Sequence, residues 1–234
     1  DKKLYQIFPQ CRVLRMDADT TKRKGSHDKI FKQFRSGKAD ILVGTQMIAK
    51  GLHFPSVTLV GILNADLTLS IPDFRASESM FQLITQVSGR SGRGELPGEV
   101  VLQTFLPTQD TLKLAAEQNY EKFFAEESQI RQIFQYPPFT HLIKIALHGP
   151  VCEEVKQKAE EARKFLIDRL PASFAFLPVV PAGHAKIQDQ YRFQFLIKST
   201  KVLAASAILR SLQNEFKHSK IHLLIDVDPS STFF

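Results

Sequence analysis

Two rhythms of apolar and polar positions divide this 234-residue chain. In the first half, short unbroken apolar runs alternate with helical spacing. Residues 11–16 are read as one short apolar run between polar neighbours, though Arg12 and Arg15 interrupt it. Ile41-Leu42-Val43 and Leu59-Val60-Gly61-Ile62-Leu63 have no polar residue at all. Unbroken runs of this length suit strands covered on both faces, as in parallel sheets. Ser26 can cap a helix whose apolar positions Ile30, Phe31 and Phe34 follow, with Gly37 as the stop. A second helix is predicted over 75–88, with Met80, Phe81, Ile84 and Val87 on one side, and Val100-Val101-Leu102 reads as a further strand. Strand–helix alternation with right-handed crossovers predicts an open α/β sheet, in which ligands gather at the carboxyl ends of the strands. The chain opens in a helix-like stretch at Leu4, Tyr5 and Ile7 with no strand before it. A doubly wound lobe ordinarily begins with a strand, so the expectation is a lobe truncated at its N-terminus, within a longer polypeptide.

Residues 109–136 read as helical through Leu112, Ala115, Phe123, Phe124, Ile130 and Ile133, and Pro137-Pro138 ends them. The rhythm then changes to strict alternation. Ile143, Ile145 and Leu147 alternate with Lys144, Ala146 and His148; Tyr191, Phe193, Phe195 and Ile197 with Arg192, Gln194, Leu196 and Lys198; Ile221, Leu223, Ile225 and Val227 with His222, Leu224, Asp226 and Asp228. A strand over 174–180 and amphipathic helices over 151–170 and 202–216 complete the order β-α-β-β-α-β, the ferredoxin-like plan. The expected division is an α/β lobe over 1–108, a helical linker over 109–138 and an α+β ferredoxin-like domain over 139–234.

Composition changes this picture little. No apolar run approaches the ~20 residues of a membrane helix, and no secretory signal is visible. Cys11 and Cys152 lie far apart with no C-x-x-C partner, so no zinc site is expected; both are read as buried, reduced thiols in a cytoplasmic protein. Residues 1–108 hold 15 Lys and Arg against 10 Asp and Glu, and residues 109–234 hold 16 against 14. The excess of positive charge therefore sits in the first half, compatible with a phosphate-rich partner.

That half also carries the chemistry. Gly44-Thr45-Gln46-Met47-Ile48-Ala49-Lys50-Gly51-Leu52-His53 begins where an apolar run ends. A hydroxyl at Thr45 beside backbone N–H groups suits contact with a nucleic-acid backbone, with Gln46 and Lys50 beside it and Gly51 allowing close approach. Gln86-Val87-Ser88-Gly89-Arg90-Ser91-Gly92-Arg93 ends the predicted helix. Two arginines three apart, each after a glycine, suit gripping a polyphosphate, since guanidinium is permanently charged and presents a planar fork of donors. An arginine so placed on a transferring phosphoryl group can be worth about 10³–10⁵ in kcat. Gln86 stands one helical turn before Arg90 and could hydrogen-bond near the nucleotide. Asp66 lies at the next strand end, and Asp73 reads as a helix cap.

These two segments look like motifs V and VI of superfamily 2 helicases. The longer strings GTQMIAKGLHFPSVTLVGILNAD and FRASESMFQLITQVSGRSGRGELPGEVVLQT, with RVLRMDADTTKRKG before them, YPPF after them and IDVDP near the end, resemble the primosomal protein N′ (PriA) family of replication-restart helicases. The resemblance implies a second RecA-like helicase lobe, partial here, followed by the family's C-terminal domain. It implies a 3′→5′ DNA helicase whose ATP, with Mg2+, is bound mainly by a first lobe outside this sequence. Branched and single-stranded DNA, single-stranded-DNA-binding protein and other primosome proteins are the implied partners. Arg90, Arg93 and Gln86 become the catalytic set, with Gly51 added for nucleotide binding; Thr45, Gln46, Lys50, Lys144 and Arg192 become the nucleic-acid contacts. The family's zinc-binding cysteines, its P-loop and its D-E-x-H box are not in this sequence, so the chain alone is expected not to hydrolyse ATP. His53 stands where such helicases often carry Asp near the ribose, and neutral imidazole accepts one hydrogen bond where carboxylate accepts two.

In the last domain, alternation puts Lys144, Arg192, Gln194, Lys198 and His222 on the sheet face away from the helices, and Tyr191, Phe193 and Phe195 toward them. This argues against base stacking and for an open surface that contacts nucleic-acid backbone or docks protein, with Leu196 and Leu224 as docking hints. A non-catalytic DNA- or protein-binding module, and a superfamily 2 RNA helicase, are the alternatives.

Overall fold

The computed structural model describes residues 2–17, 26–45, 56–88 and 98–233. They belong to two compact units that do not follow sequence order: Asp1–Thr68 with Glu78–Tyr120, and Leu69–Ser77 with Glu121–Phe234. The first expected boundary, at 108/109, therefore becomes a nested arrangement, because residues 69–77 pack with the chain's end.

The first unit opens with helix α1 (Lys2–Ile7), then strand β1 (Val13–Met16), helix α2 (Ser26–Arg35) and strand β2 (Ile41–Gly44). Strand β3 (Leu59–Ile62), the short helix α3 (Asp66–Leu69), helix α4 (Ala76–Ser88), strand β4 (Glu99–Leu102) and helix α5 (Asp110–Ala116) follow. Gly37 takes φ +69° just past α2, the left-handed position where glycine ends a helix without a Cβ penalty. Strands β1 and β2 pair in parallel, as do β3 and β4. Among the described residues these form two separate two-stranded sheets, where one open sheet was expected. On β1 and β2 both faces are partly covered, Ile41, Leu42 and Val43 all being half-buried, but on the second sheet they are not. On β3 and β4 the side chains alternate: Val60, Ile62, Val100 and Leu102 are half-buried while Leu59 and Val101 are exposed. An unbroken apolar run reads the same whether one face or two are covered, so the pattern could not separate the cases.

Polar ties fasten the strand ends. At the start of the first sheet, Asp40 accepts from the Arg12 backbone N–H (2.8 Å) and, in a fork, from its Nε (3.0 Å) and Nη2 (2.7 Å). This bidentate geometry holds the Asp40 carboxyl down at about 2. After β3, Asp66 accepts from Thr104 Oγ1 (2.5 Å) and Phe105 N (2.7 Å), joining the segments that leave β3 and β4. The predicted apolar side of α4 is buried: Met80, Phe81, Ile84 and Val87. Helix α5 buries Leu112, Leu114 and Ala115. It breaks at Gln118, which takes φ 52°, so the helical stretch expected over 109–136 is two helices.

In the second unit, helix α6 (Tyr120–Ile133) leads into strand β5 (His141–Gly149), helix α7 (Cys152–Ile167), strands β6 (Ala175–Phe176), β7 (Val180–Ile187) and β8 (Gln190–Ser199), a 3-10 turn (Val202–Ala205), helix α8 (Ser206–Glu215) and strand β9 (His222–Val227). The sheet is antiparallel in the order β6-β8-β5-β9, with β7 also on β8. The strand expected over 174–180 is in fact two pieces: Pro178, which cannot donate to a ladder, lies between β6 and β7. Alternation on β5 and β8 sends Ile143, Ile145, Leu147, Phe193, Phe195 and Ile197 into one core with Val155, Ala159, Leu166, Leu209 and Leu212 of the helices. Cys152 packs at the edge of this core half-buried, and Cys11 is also half-buried, more open than the buried thiols expected.

Candidate nucleotide and nucleic-acid interface

In parallel strands the carboxyl ends lie side by side. The β1–β2 register sets Met16 opposite Gly44, so Asp17 and Thr45 leave the sheet at the same end. Thr45 is exposed there and Asp17 is paired with Arg15. This is the strand end at which the backbone-contacting loop was expected to start. Gln46, Lys50, Gly51 and His53 lie outside the described residues.

Helix α4 ends at Ser88, immediately before the glycine that opens Gly89-Arg90-Ser91-Gly92-Arg93. Two positions before that end, half-buried Gln86 lines a shallow groove with Phe81, Gln82, Thr85 and Tyr120. Burial of Ile84 and Val87 against the unit's core turns Gln86 toward this groove, and the Phe81 and Tyr120 rings meet tilted at 6.2 Å. Arg90 and Arg93 lie outside the described residues. Asp66, singled out for its strand-end position, is 8% exposed. The Thr104 hydroxyl, then the Phe105 N–H, hold its carboxyl below the ordinary value. It therefore works as a clamp between chain segments.

The second unit corrects the expectation of an open back face. The chain's last residues lie across it. Lys144 is only 4% exposed and its Nζ donates to Ser231 O (3.0 Å). Gln194, also buried, donates from Nε2 to Thr232 O (2.7 Å), and Gly183 N donates to Phe233 O (3.0 Å). Lys144 is thus no contact for an outside nucleic acid, because the tail has taken its ammonium. Burial pushes that ammonium below its ordinary value, and Arg192 adds to the shift while Asp226 and Asp73 oppose it. Lys198 is spent locally as well: its Nζ donates to Phe134 O (2.7 Å) and sits 3.6 Å from the centroid of the Tyr136 ring. Arg192 keeps partial exposure. Of the docking hints, Leu196 is half-buried and Leu224 exposed. Phe193 and Phe195 face the helices as read from the sequence.

Residues 69–77 hold the tail in place. Asp73 lies three positions before α4. Its Oδ1 accepts from Arg75 N (2.9 Å), a local turn, while its Oδ2 accepts from Ser231 Oγ (2.6 Å) and Thr232 N (2.7 Å). The expected capping role is therefore only part of what this carboxylate does. Burial raises its pKa, and the donors from Ser231, Arg75, Thr232 and Phe233 outweigh that and leave it below the ordinary value. Beside it Phe74 stacks on Tyr136 (5.3 Å, 4°) with the Arg75 and Arg131 guanidiniums each 5.2 Å from its centroid. The clasp of Asp73 with Ser231 and Thr232 was missed from sequence, since hydroxyls after Pro229 carry no periodicity. The only available cue was a short polar tail after a strand that ends in Asp226-Val227-Asp228.

Known proteins bear on both units. Residues 2–95 match the sequence profile of the helicase conserved C-terminal domain, and residues 132–230 match that of the primosomal protein N C-terminal domain. The replication restart protein PriA of Chlamydia pneumoniae is 49% identical over 100% of this chain and 31% of its own length. That of Bacillus subtilis is 43% identical over 97% of this chain and 29% of its own length. The chain belongs to the PriA family. A more distant PriA, from Borreliella burgdorferi, is 33% identical over 99% of this chain and 35% of its own length. The chain spans about a third of the length of the PriA proteins it matches. In PriA terms, strands β1 to β3 and helices α1 to α4 fall in the stretch that matches the helicase domain, β4 lies just beyond it, and β5 to β9 fall in the PriA C-terminal domain. No helix among the described residues is long and apolar enough to cross a membrane.

Proposed function

We propose that this chain works, within a longer polypeptide, as the second motor lobe and C-terminal domain of an ATP-dependent 3′→5′ DNA helicase that restarts replication. The observation that carries the reading is the order of the two profile matches, helicase domain then primosomal C-terminal domain, with helix α4 running straight into the arginine pair. ATP with Mg2+, held mainly by a first lobe, would supply the phosphoryl group whose transfer to water drives movement. Arg90 and Arg93 would grip its terminal phosphate oxygens, where fixed cations stabilise the charge that spreads in the transition state. Gln86, at the groove edge one turn earlier, would hydrogen-bond beside them. Thr45, with Gln46 and Lys50 following, would contact the DNA backbone from the end of β2, and Gly51 would let the nucleotide approach. Zinc would be held by cysteines elsewhere in the polypeptide. Branched and single-stranded DNA, single-stranded-DNA-binding protein and other primosome proteins are the partners this reading implies. We also read the second unit as a ferredoxin-like fold, on a β-α-β-β-α-β order in which β6 and β7 count as one interrupted strand, with β5 and β8 central.

In the full-length protein, Arg90→Ala is expected to cut DNA-stimulated kcat at least about 10³-fold, the low end for an arginine on a transferring phosphate, while DNA affinity stays within a few-fold. An unchanged kcat removes the arginine from the mechanism. The chain alone is expected to show no DNA-stimulated ATP hydrolysis.

A further inference from the structure

One cross-strand row of the second unit's back face reaches solvent beside the tail. His148 of β5 lies opposite His222 of β9 on one side and Arg192 of β8 on the other. His222 is exposed, and His148 and Arg192 are half-buried. The two imidazoles stack at 4.9 Å between centroids and 23° between planes. Directly opposite side chains in a sheet stand roughly 5 Å apart, so three nitrogen-bearing heads share one strip of surface. None of the three has an ion pair among the described residues.

The surroundings do not neutralise this strip. The next row on the same face, Leu224, Ala146 and Gln194, is uncharged, and the Gln194 amide is committed to Thr232 O. Asp226 lies one row further, opposite Lys144. From the tail come Ser231, Thr232 and Phe233, which bear no charged side chain. From β7, Lys186 is paired with Asp189, and His184 meets the edge of Phe233. His148 titrates below its ordinary value, pushed first by burial and then by His222 and Arg192. Among the described residues no carboxylate is paired with this strip, and the charge its own members can carry is positive. Two stacked imidazoles resist joint protonation unless an anion bridges them, and a guanidinium beside them offers a planar fork.

We propose that His148, His222 and Arg192 form a phosphate-binding strip, fitted to a phosphate oxyanion of a nucleic-acid backbone or to free phosphate. The backbone source rests on the nucleic-acid reading above; the strip itself does not. Because both imidazoles bind the anion better when protonated, binding raises their pKa values and strengthens as pH falls.

The test is a proton NMR titration of the histidine ring signals of the 234-residue chain between pH 5 and 8. Phosphate, an oligothymidylate and a chloride control are compared at matched ionic strength. Upward pKa shifts at His148 and His222 with phosphate and with oligothymidylate, absent in chloride and absent at His27, support the strip and the backbone source. Shifts with phosphate alone support the strip and remove that source. Arg192→Gln and, separately, exposed His222→Asn are expected to weaken phosphate binding at least threefold with unchanged melting temperature. Responses to phosphate no larger than those to chloride, or retention of full affinity in both variants, overturn the proposal. Arg90→Ala does not touch this strip, so failure of the motor reading and failure of the strip give different results.

Discussion

Single carboxylates do much of the fastening in this chain, and each does so in a pH-dependent way. Asp40, gripped by Arg12 on three atoms, sits at about 2 against an ordinary 3.8. Its folded-state pKa is depressed, so its stabilising contribution is complete above the unfolded value and is lost as pH falls from 3.8 toward 2. Asp66 and Asp73 are shifted in the same direction. Acid titration followed by circular dichroism is therefore expected to show melting temperature falling below about pH 4, with Asp40→Asn flattening the part that belongs to the first unit. Asp73→Ala strips the partners from Ser231 Oγ and from the Thr232 and Arg75 N–H groups, at an expected cost of about 1–3 kcal/mol. Gly183 tests the same fastening from the other side. A Cβ there would meet the Phe233 ring and backbone oxygen at 2.6 Å. Gly183→Ala is expected to lower the melting temperature and speed proteolysis of residues 229–234, measured against a Gly61→Ala control, where a Cβ would meet nothing within 4 Å.

At the scale of elements, the second unit's sheet depends on a core that alternation reads directly. Phe195, 1% exposed, sits in the middle of it. Phe195→Ala is expected to cost about 3–5 kcal/mol, the range for a deleted core aromatic, checked by chemical denaturation. The same alternation placed Ile143, Ile145 and Leu147 correctly, because a half-buried strand writes its burial into every second residue. It failed where burial has another cause. Lys144 alternates as a solvent-facing residue, and it is buried because the tail after β9 supplies a carbonyl to it. Residues 180–187 gave no strand signal, since Pro181 and Gly183 interrupt the apolar code, yet they pair with β8 through backbone groups that sequence does not display. Helix α4 was legible from its apolar side, and with it the position of Gln86. The start of the helix was legible to within one residue of Ala76; what the sequence did not display is that Asp73 divides its two oxygens between a turn and the tail.

For the whole molecule, the division into units runs against the order of the chain. Residues 78–120 leave and re-enter between two stretches that pack with each other. A fragment covering 121–234 lacks Asp73, Phe74 and Arg75. It is expected to melt below the parent unit and to expose its C-terminal residues to carboxypeptidase, whereas adding a peptide of residues 69–77 restores part of the protection. The charge of Lys144 sets the direction of a further check. With the tail no longer held by Asp73 the ammonium regains water, so Lys144 in the shorter fragment is expected to react faster with amine-directed acylating reagents.

The bond from Ser231 Oγ to Asp73 Oδ2 spans 158 positions of sequence. A growing chain makes the aspartate 158 positions before this hydroxyl and must leave it without that partner until the intervening residues have been made. Loop closure over such a span costs more entropy than the local contacts around it, so the clasp belongs among the last native contacts to form. During synthesis the back of the sheet would stay bare, with a lysine and a glutamine waiting on it, until residues 231–233 arrive.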